Sequence, residues 1–333
     1  MKKIINEPQA FVDEFVEGIL LAHPALLKAP RQDRRVLVRA DAPVAGKVGI
    51  ITGGGSGHLP LFKGYVGRGL CDGVAIGNVF SSPSSAQILE TTKAVDGGAG
   101  VLYLYGNYGG DVFNFDLATD MAELEGIRTL TVLGRDDVAS QPKERATDRR
   151  GVAGIFFAYK AAGAAAERGD TLDQVAAVAE DIIEHTATMG VGLSPTILPT
   201  TGKPSFELAD DEMEIGIGIH GEPGIHRGAL ETADEIAEHL VERLITDLGA
   251  SSGDRVAVLV NGLGATPLEE LYVLFRRTHQ ILEGKGIAIA KNYVGEYATS
   301  LEMAGASISL LLLTDERLAL LDAPAESPFF REV

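Results

Sequence analysis

Two short apolar runs, Val48–Thr52 and Val101–Tyr105, each end in a glycine-rich segment, and that repeated pattern limits the folds open to the chain. The first continues as Gly53-Gly54-Gly55-Ser56-Gly57-His58 and the second as Gly106-Asn107-Tyr108-Gly109-Gly110-Asp111. An apolar run of ~4–8 residues bounded by glycine reads as a buried strand. Further candidates are Arg128–Leu133, Ile215–Ile219, Val256–Val260, Ile287–Ala290 and Ile308–Leu313. Between them lie stretches of helical period, beginning with Phe11, Val12, Phe15, Val16, Ile19 and Leu20, which an arginine-rich connection follows. Strands alternating with helices predict an α/β protein with largely parallel or mixed sheets flanked by helices. In such sheets the ligand crevice lies beyond the carboxyl ends of strands, where both glycine segments fall.

With 333 residues the chain exceeds the roughly 250–300 residues at which one core stops growing, so two α/β domains are expected. Helices over Val152–Arg168 and Leu172–Met189 close the first half, and Pro195, Pro199, Gly202 and Pro204 break the chain beyond. The division falls near residue 190, giving domains of 1–190 and 191–333. Thr266-Pro267-Leu268-Glu269 has the form of a capping box at a helix start. The tail beyond Asp322, with Pro324 and Pro328, reads as irregular.

A formal net charge of −18 opposes a phosphate backbone, which argues against a nucleic-acid partner. The single cysteine, Cys71, has no intrachain partner, and the first residues lack the apolar run of a signal peptide, so the cytoplasm is the expected compartment. No stretch approaches the ~20 uninterrupted apolar residues of a spanning helix, and no membrane role is expected.

The glycine segments place His58 and Asp111 at the mouth of one crevice, a base and a carboxylate among backbone amides free of side chains. The competing reading is structural: a tight turn at the glycines, and Asp111 as a helix N-cap. The first segment lacks the Gly-Lys-Ser/Thr ending of a P-loop and the spacing of a dinucleotide fingerprint. A third candidate is Gly216-Ile217-Gly218-Ile219-His220, read as a strand whose last residue presents an uncrowded imidazole as nucleophile. A lone histidine also serves as a hydrogen-bonded structural residue. His220, Glu222 and His226 suggest a metal, but the Pro-Cys-x-x-Cys partner of zinc deaminases is missing, and no metal is assigned. His23, His185, His239 and His279 fall in or beside helical runs and read as surface residues.

Taken together, Arg39-Ala40-Asp41-Ala42-Pro43-Val44-Ala45-Gly46-Lys47, the two glycine segments, Gly221-Glu222-Pro223-Gly224 and Asn261-Gly262-Leu263-Gly264-Ala265-Thr266-Pro267-Leu268 resemble the substrate-binding subunit of dihydroxyacetone kinases, the DhaK type. Ala209–Gly216 is similar to the same family, and the likeness runs from the first helix to Leu321-Asp322-Ala323-Pro324. The resemblance implies that His220 captures a short-chain ketose as a covalent hemiaminal. Asp111 then acts as general base on the terminal hydroxyl, with His58 assisting or orienting it. It implies substrate contacts from Gly54, Gly55, Ser81 and Ser82 as well. It further implies a homodimer that binds no cofactor itself and takes its phosphoryl group from a separate DhaL-type nucleotide-binding subunit. That subunit carries either ATP with Mg or a phosphorylated ADP fed by a phosphotransferase-system relay. A non-catalytic ketose-binding regulator is the alternative of another class. Two positions depart from a pattern common in the family, Gly106 where many relatives carry lysine and Leu59 where many carry glutamate. Loss of the lysine implies room for a larger ketose such as the four-carbon erythrulose.

Overall fold

The computed structural model describes residues 2–30 and 34–333, and the arginine-rich connection after the first helix lies partly outside the described residues. Six strands build the first sheet: β1 (Leu27–Lys28), β2 (Val36–Arg39), β3 (Gly49–Ser56), β4 (Gly73–Val79), β5 (Val101–Gly106) and β6 (Thr129–Gly134). Their spatial order is β1-β2-β4-β3-β5-β6. β4, β3, β5 and β6 run parallel, and β1 and β2 form an antiparallel edge.

The second sheet contains β7 (Thr186–Ser194), β8 (Glu212–Ile215), β9 (His226–Ala229), β10 (Arg255–Gly262), β11 (Ala288–Gly295) and β12 (Ala304–Leu312) in the order β11-β10-β12-β7-β8-β9. Here only β10 and β11 are parallel neighbours, so the architecture is mixed α/β. A short hairpin, β13 (Ala325–Glu326) with β14 (Arg331–Glu332), orders the tail that reads as irregular in sequence.

Helices α1 (Phe11–Ala22), α2 (Ser85–Val95), α3 (Gly109–Leu124), α4 (Ile155–Glu167) and α5 (Leu172–Glu184) accompany the first sheet. The second carries α6 (Ala233–Leu248), α7 (Leu268–Gly284) and α8 (Asp315–Asp322). α2 and α3 cover one face of the first sheet, and α6 and α7 cover one face of the second. Between the sheets runs α4, buried from Ile155 to Ala166, as a helix without a polar face must be. Its core is shared: Ile50 and Leu104 of the first sheet and Leu259 and Leu311 of the second join one apolar cluster with Phe156 and Phe157. Lys160, buried within α4, donates to the carbonyls of Leu320 (3.1 Å) and Ala323, and so satisfies orphan acceptors at the end of α8.

Two local expectations are corrected. α5 ends at Glu184, and Thr186–Met189 belong to β7, because β12 pairs with that segment and a β-branched stretch is held better by the sheet. Residue 190 therefore lies inside a strand. Thr266 caps no helix: its hydroxyl exchanges hydrogen bonds with the Gly305 backbone (2.7 and 2.8 Å), and α7 begins without a side-chain cap. Capping boxes form instead at Ser84/Gln87, Thr171/Gln174 and Thr232/Glu235.

Candidate functional site

β3 does not end where the glycines start. The strand continues through Gly53, Gly54 and Gly55 to Ser56, fully buried, so this run is sheet and not loop. The missing side chains make room for neighbours. A Cβ on Gly55 would stand 2.7 Å from the Ser81 backbone nitrogen and 2.9 Å from the Phe80 Cα, and one on Gly54 would enter the Phe62 ring. Gly57 adopts φ +109°, which favours glycine, and turns the chain so that His58 enters the interior.

His58 is 1 % exposed. Its Nδ1 lies 2.8 Å from the Thr299 carbonyl, an atom that only accepts, so Nδ1 carries the proton and Nε2 is the bare nitrogen. Nε2 is buried without a hydrogen-bond partner. Phe80 stacks on the ring at 5.0 Å and Phe62 meets it edge-on at 6.1 Å. Burial, with His220 alongside, pushes the imidazole well below its ordinary pKa and keeps it neutral. Among the described residues the non-glycine positions with positive φ are Phe62, Phe80 and Leu301, and all three flank this turn. Leu301 donates its backbone N–H to the Gly57 carbonyl at 2.7 Å.

His220 comes from the second half and faces His58 edge-on, with ring centroids 4.8 Å apart. It does not terminate a strand, since β8 stops at Ile215 and Gly216 turns the chain away at φ +81°. Ile217 and Ile219 are buried, which pins the turn carrying His220. Its Nδ1 is 2.9 Å from Glu222 Oε1, and its backbone N–H donates to Glu222 Oε2 at 2.9 Å. Burial alone would raise the Glu222 carboxyl, but the hydrogen bond from His220 and the nearby Arg150 hold it down to about 2. A carboxylate that stays ionised accepts from Nδ1–H and leaves Nε2 with its lone pair. Arg150 in turn is fixed on Asp137 at 2.8 Å.

Asp111 sits in the first turn of α3 but not at its cap, which is Tyr108. Burial pushes its carboxyl up to about 6, against the opposing pull of Ser82 and His220. One carboxyl oxygen is buried without a partner, as is the Tyr108 hydroxyl, whose ring meets His220 at 4.8 Å. Ser82 stands beside this helix start, accepting from Asn114 at 3.2 Å, while Ser81 is exposed. The structure thus brings His58, His220, Asp111 and Ser82 to one place, with Gly54 and Gly55 as its packed floor. His226 is exposed on β9, and His23, His185, His239 and His279 lie at or near the surface.

Sequence reading gave no role to Thr299 or Asn261. Asn261 accepts at 2.8 Å from the N–H groups of Tyr297 and Ala298, and donates to the Ala298 carbonyl (2.9 Å) and to Ser307 (3.1 Å). It thereby sets the loop whose next residue holds His58. A polar residue closing the apolar run Val256–Val260 was the available signal. The space at Gly106 is also not empty: a Cβ there would meet the Tyr108 ring at 3.2 Å and the Gly151 carbonyl at 3.4 Å. Leu59 packs against the large shared core.

Residues 17–329 match the Dak1 domain. The chain belongs to the Dak1 family and is of DhaK type. This DhaK-type chain is 45 % identical, over 99 % of both sequences, to the dihydroxyacetone-binding subunit DhaK of PTS-dependent dihydroxyacetone kinase 2 from Listeria innocua serovar 6a. It is 41 % identical to an L-erythrulose kinase of Pectobacterium atrosepticum, matching all of this chain but 56 % of that longer protein. Among solved structures, the dihydroxyacetone kinase operon co-activator DhaQ superposes with a TM-score of 0.88 at 34 % identity, covering 96 % of this DhaK-type chain and 97 % of its own.

Proposed function

We propose that this chain is the substrate-binding subunit of a short-chain ketose kinase, a phosphotransferase with an alcohol group as acceptor. The observation that carries the reading is the pair of imidazoles 4.8 Å apart, each with Nδ1 bonded to an acceptor and Nε2 bare, beside a carboxyl group raised to about 6. His220 Nε2 adds to the ketone carbon and the carbonyl π bond opens onto its oxygen. That oxygen gains a proton while the ring loses the one on Nδ1, so the hemiaminal is neutral overall. Glu222 offsets the positive charge that the ring develops during attack. His58 Nε2 accepts a substrate hydroxyl hydrogen bond. Asp111 takes the proton from the terminal hydroxyl as it attacks phosphorus. Ser81, Ser82 and the amides of Gly54 and Gly55 complete the substrate contacts.

The phosphoryl donor belongs to a separate DhaL-type subunit carrying ATP with Mg or a phosphorylated ADP. The Listeria relative, named PTS-dependent, supports the relay form. A homodimer in the cytoplasm belongs to the same reading. Among the described residues no helix is long and apolar enough to cross a membrane. Erythrulose is the alternative ketose, and its support is the erythrulose kinase relative, since the packing around Gly106 adds no room. The likeness to a co-activator supports a second reading, a ketose-binding regulator.

Intact mass after incubation with dihydroxyacetone or erythrulose, followed by peptide mapping, tests capture. An adduct on the peptide carrying His220 is expected, and its absence with every short ketose overturns the reading. Turnover on adding a donor subunit separates kinase from regulator.

A further inference from the structure

A second cavity, of about 490 Å³, opens beside the His58 turn. Phe11, Phe15 and Ile19 of α1, with Leu59 and Leu301, give it apolar walls, and Lys63 lines it from the first sheet's side. Lys63 is 2 % exposed. Among the described residues its ammonium has neither a carboxylate nor a hydrogen-bond acceptor, and its one contact of note is the Phe15 ring, 5.2 Å from Nζ to centroid.

A buried cation without a counter-ion is costly, and a methionine or leucine of similar length would fill the same space without that cost. The neighbouring charges sharpen the point. Lys3 on the rim is already paired with Glu302, and Arg35 adds positive potential at Lys63. Burial pushes the amine down to about 7, and an anion placed against it favours the charged form again. One buried positive charge matches one negative charge. On the rim Lys2 and Lys3 stand with Glu296 and Glu302, so the rim adds no net charge to the single one of Lys63, and a monoanion is the match.

We propose that this cavity is a binding site for a small amphipathic monoanion, an aliphatic carboxylate. Its head group pairs with Lys63 and its tail lies along Phe11, Phe15 and Ile19. The site is distinct from the ketose cleft, although Gly57 and Thr299, which hold His58, contribute to its wall.

Octanoate is the probe and 1-octanol its uncharged comparator. Titration calorimetry on the intact chain is expected to show one octanoate per chain. Lys63→Met is expected to weaken it about tenfold or more, as loss of a charge-assisted hydrogen bond does, while 1-octanol binds both proteins within about twofold. Octanoate is also expected to protect Lys63 from acetylation by acetic anhydride, read by peptide mass. That second measurement decides the matter if the methionine variant does not fold. Absent octanoate binding, equal affinity in Lys63→Met, or acetylation of Lys63 undiminished by octanoate overturns the proposal.

Discussion

The Nδ1 of His58 meets the carbonyl of Thr299 at 2.8 Å, across 241 residues of sequence. Thr299 also donates its hydroxyl to the Leu59 carbonyl at 2.9 Å, so the turn presenting His58 from the first sheet is clasped by a loop of the second. A side chain from one half of the chain owes its tautomer to the other half.

Asn261 governs that loop through four hydrogen bonds in a buried setting. Asn261→Ala strands two backbone N–H groups and is expected to cost about 2–4 kcal/mol. Urea unfolding midpoints check the stability, and a fall in ketose turnover below the midpoint of unfolding checks the positioning role. Turnover equal to that of the native chain refutes it.

Glu222→Gln removes the charge that biases His220 toward protonation at Nδ1. Adduct formation on His220 is expected to slow by about 10²-fold or more, while the fold is retained. Time-resolved intact mass with dihydroxyacetone measures the rate, and an unchanged rate would show that Glu222 is dispensable.

Asp111 must be ionised to accept a proton, and its carboxyl is raised to about 6. Turnover is therefore expected to fall as pH drops through about 6. The raised pKa has a second consequence: the folded state binds the proton more tightly than the unfolded chain. Stability then falls as pH rises from the ordinary carboxyl value of 3.8 to about 6. Asp111→Asn is expected to abolish turnover yet raise Tm at pH 7 by about 2–4 °C. A pH–rate profile and calorimetry of both proteins test the two halves; a variant with lower Tm contradicts the assignment.

Glycine contributes differently at two sites. Gly55→Ala drives a Cβ into the Phe80–Ser81 backbone, which cannot rotate away, and is expected to destabilise by about 1–3 kcal/mol. Gly18→Ala, in α1 with nothing within 4 Å of the new Cβ, is expected to stabilise by about 0.5–1 kcal/mol. Thermal unfolding of the two variants in parallel checks both signs.

Periodicity and punctuation alone placed the buried strands around Ile50, Leu104, Val258 and Leu310 and the helices α1, α4, α5 and α7, because burial of alternate or continuous apolar residues is local information. The motifs named the family and pointed to His58, Asp111 and His220. Tertiary structure decided the rest. Glycines 53–55 read as a loop by composition but form a strand, because Phe62, Phe80 and Ser81 occupy the space that side chains would need. Thr186–Met189 read as helix but pair with β12. Which nitrogen of each histidine is bare, and how far Asp111 is desolvated, depend on Thr299, Glu222 and Ser82. Thr299 reaches His58 from 241 residues away and Ser82 reaches Asp111 from another loop, so no local pattern records them. Glu222, by contrast, lies two residues from His220 and needs the fold only to set the turn between them.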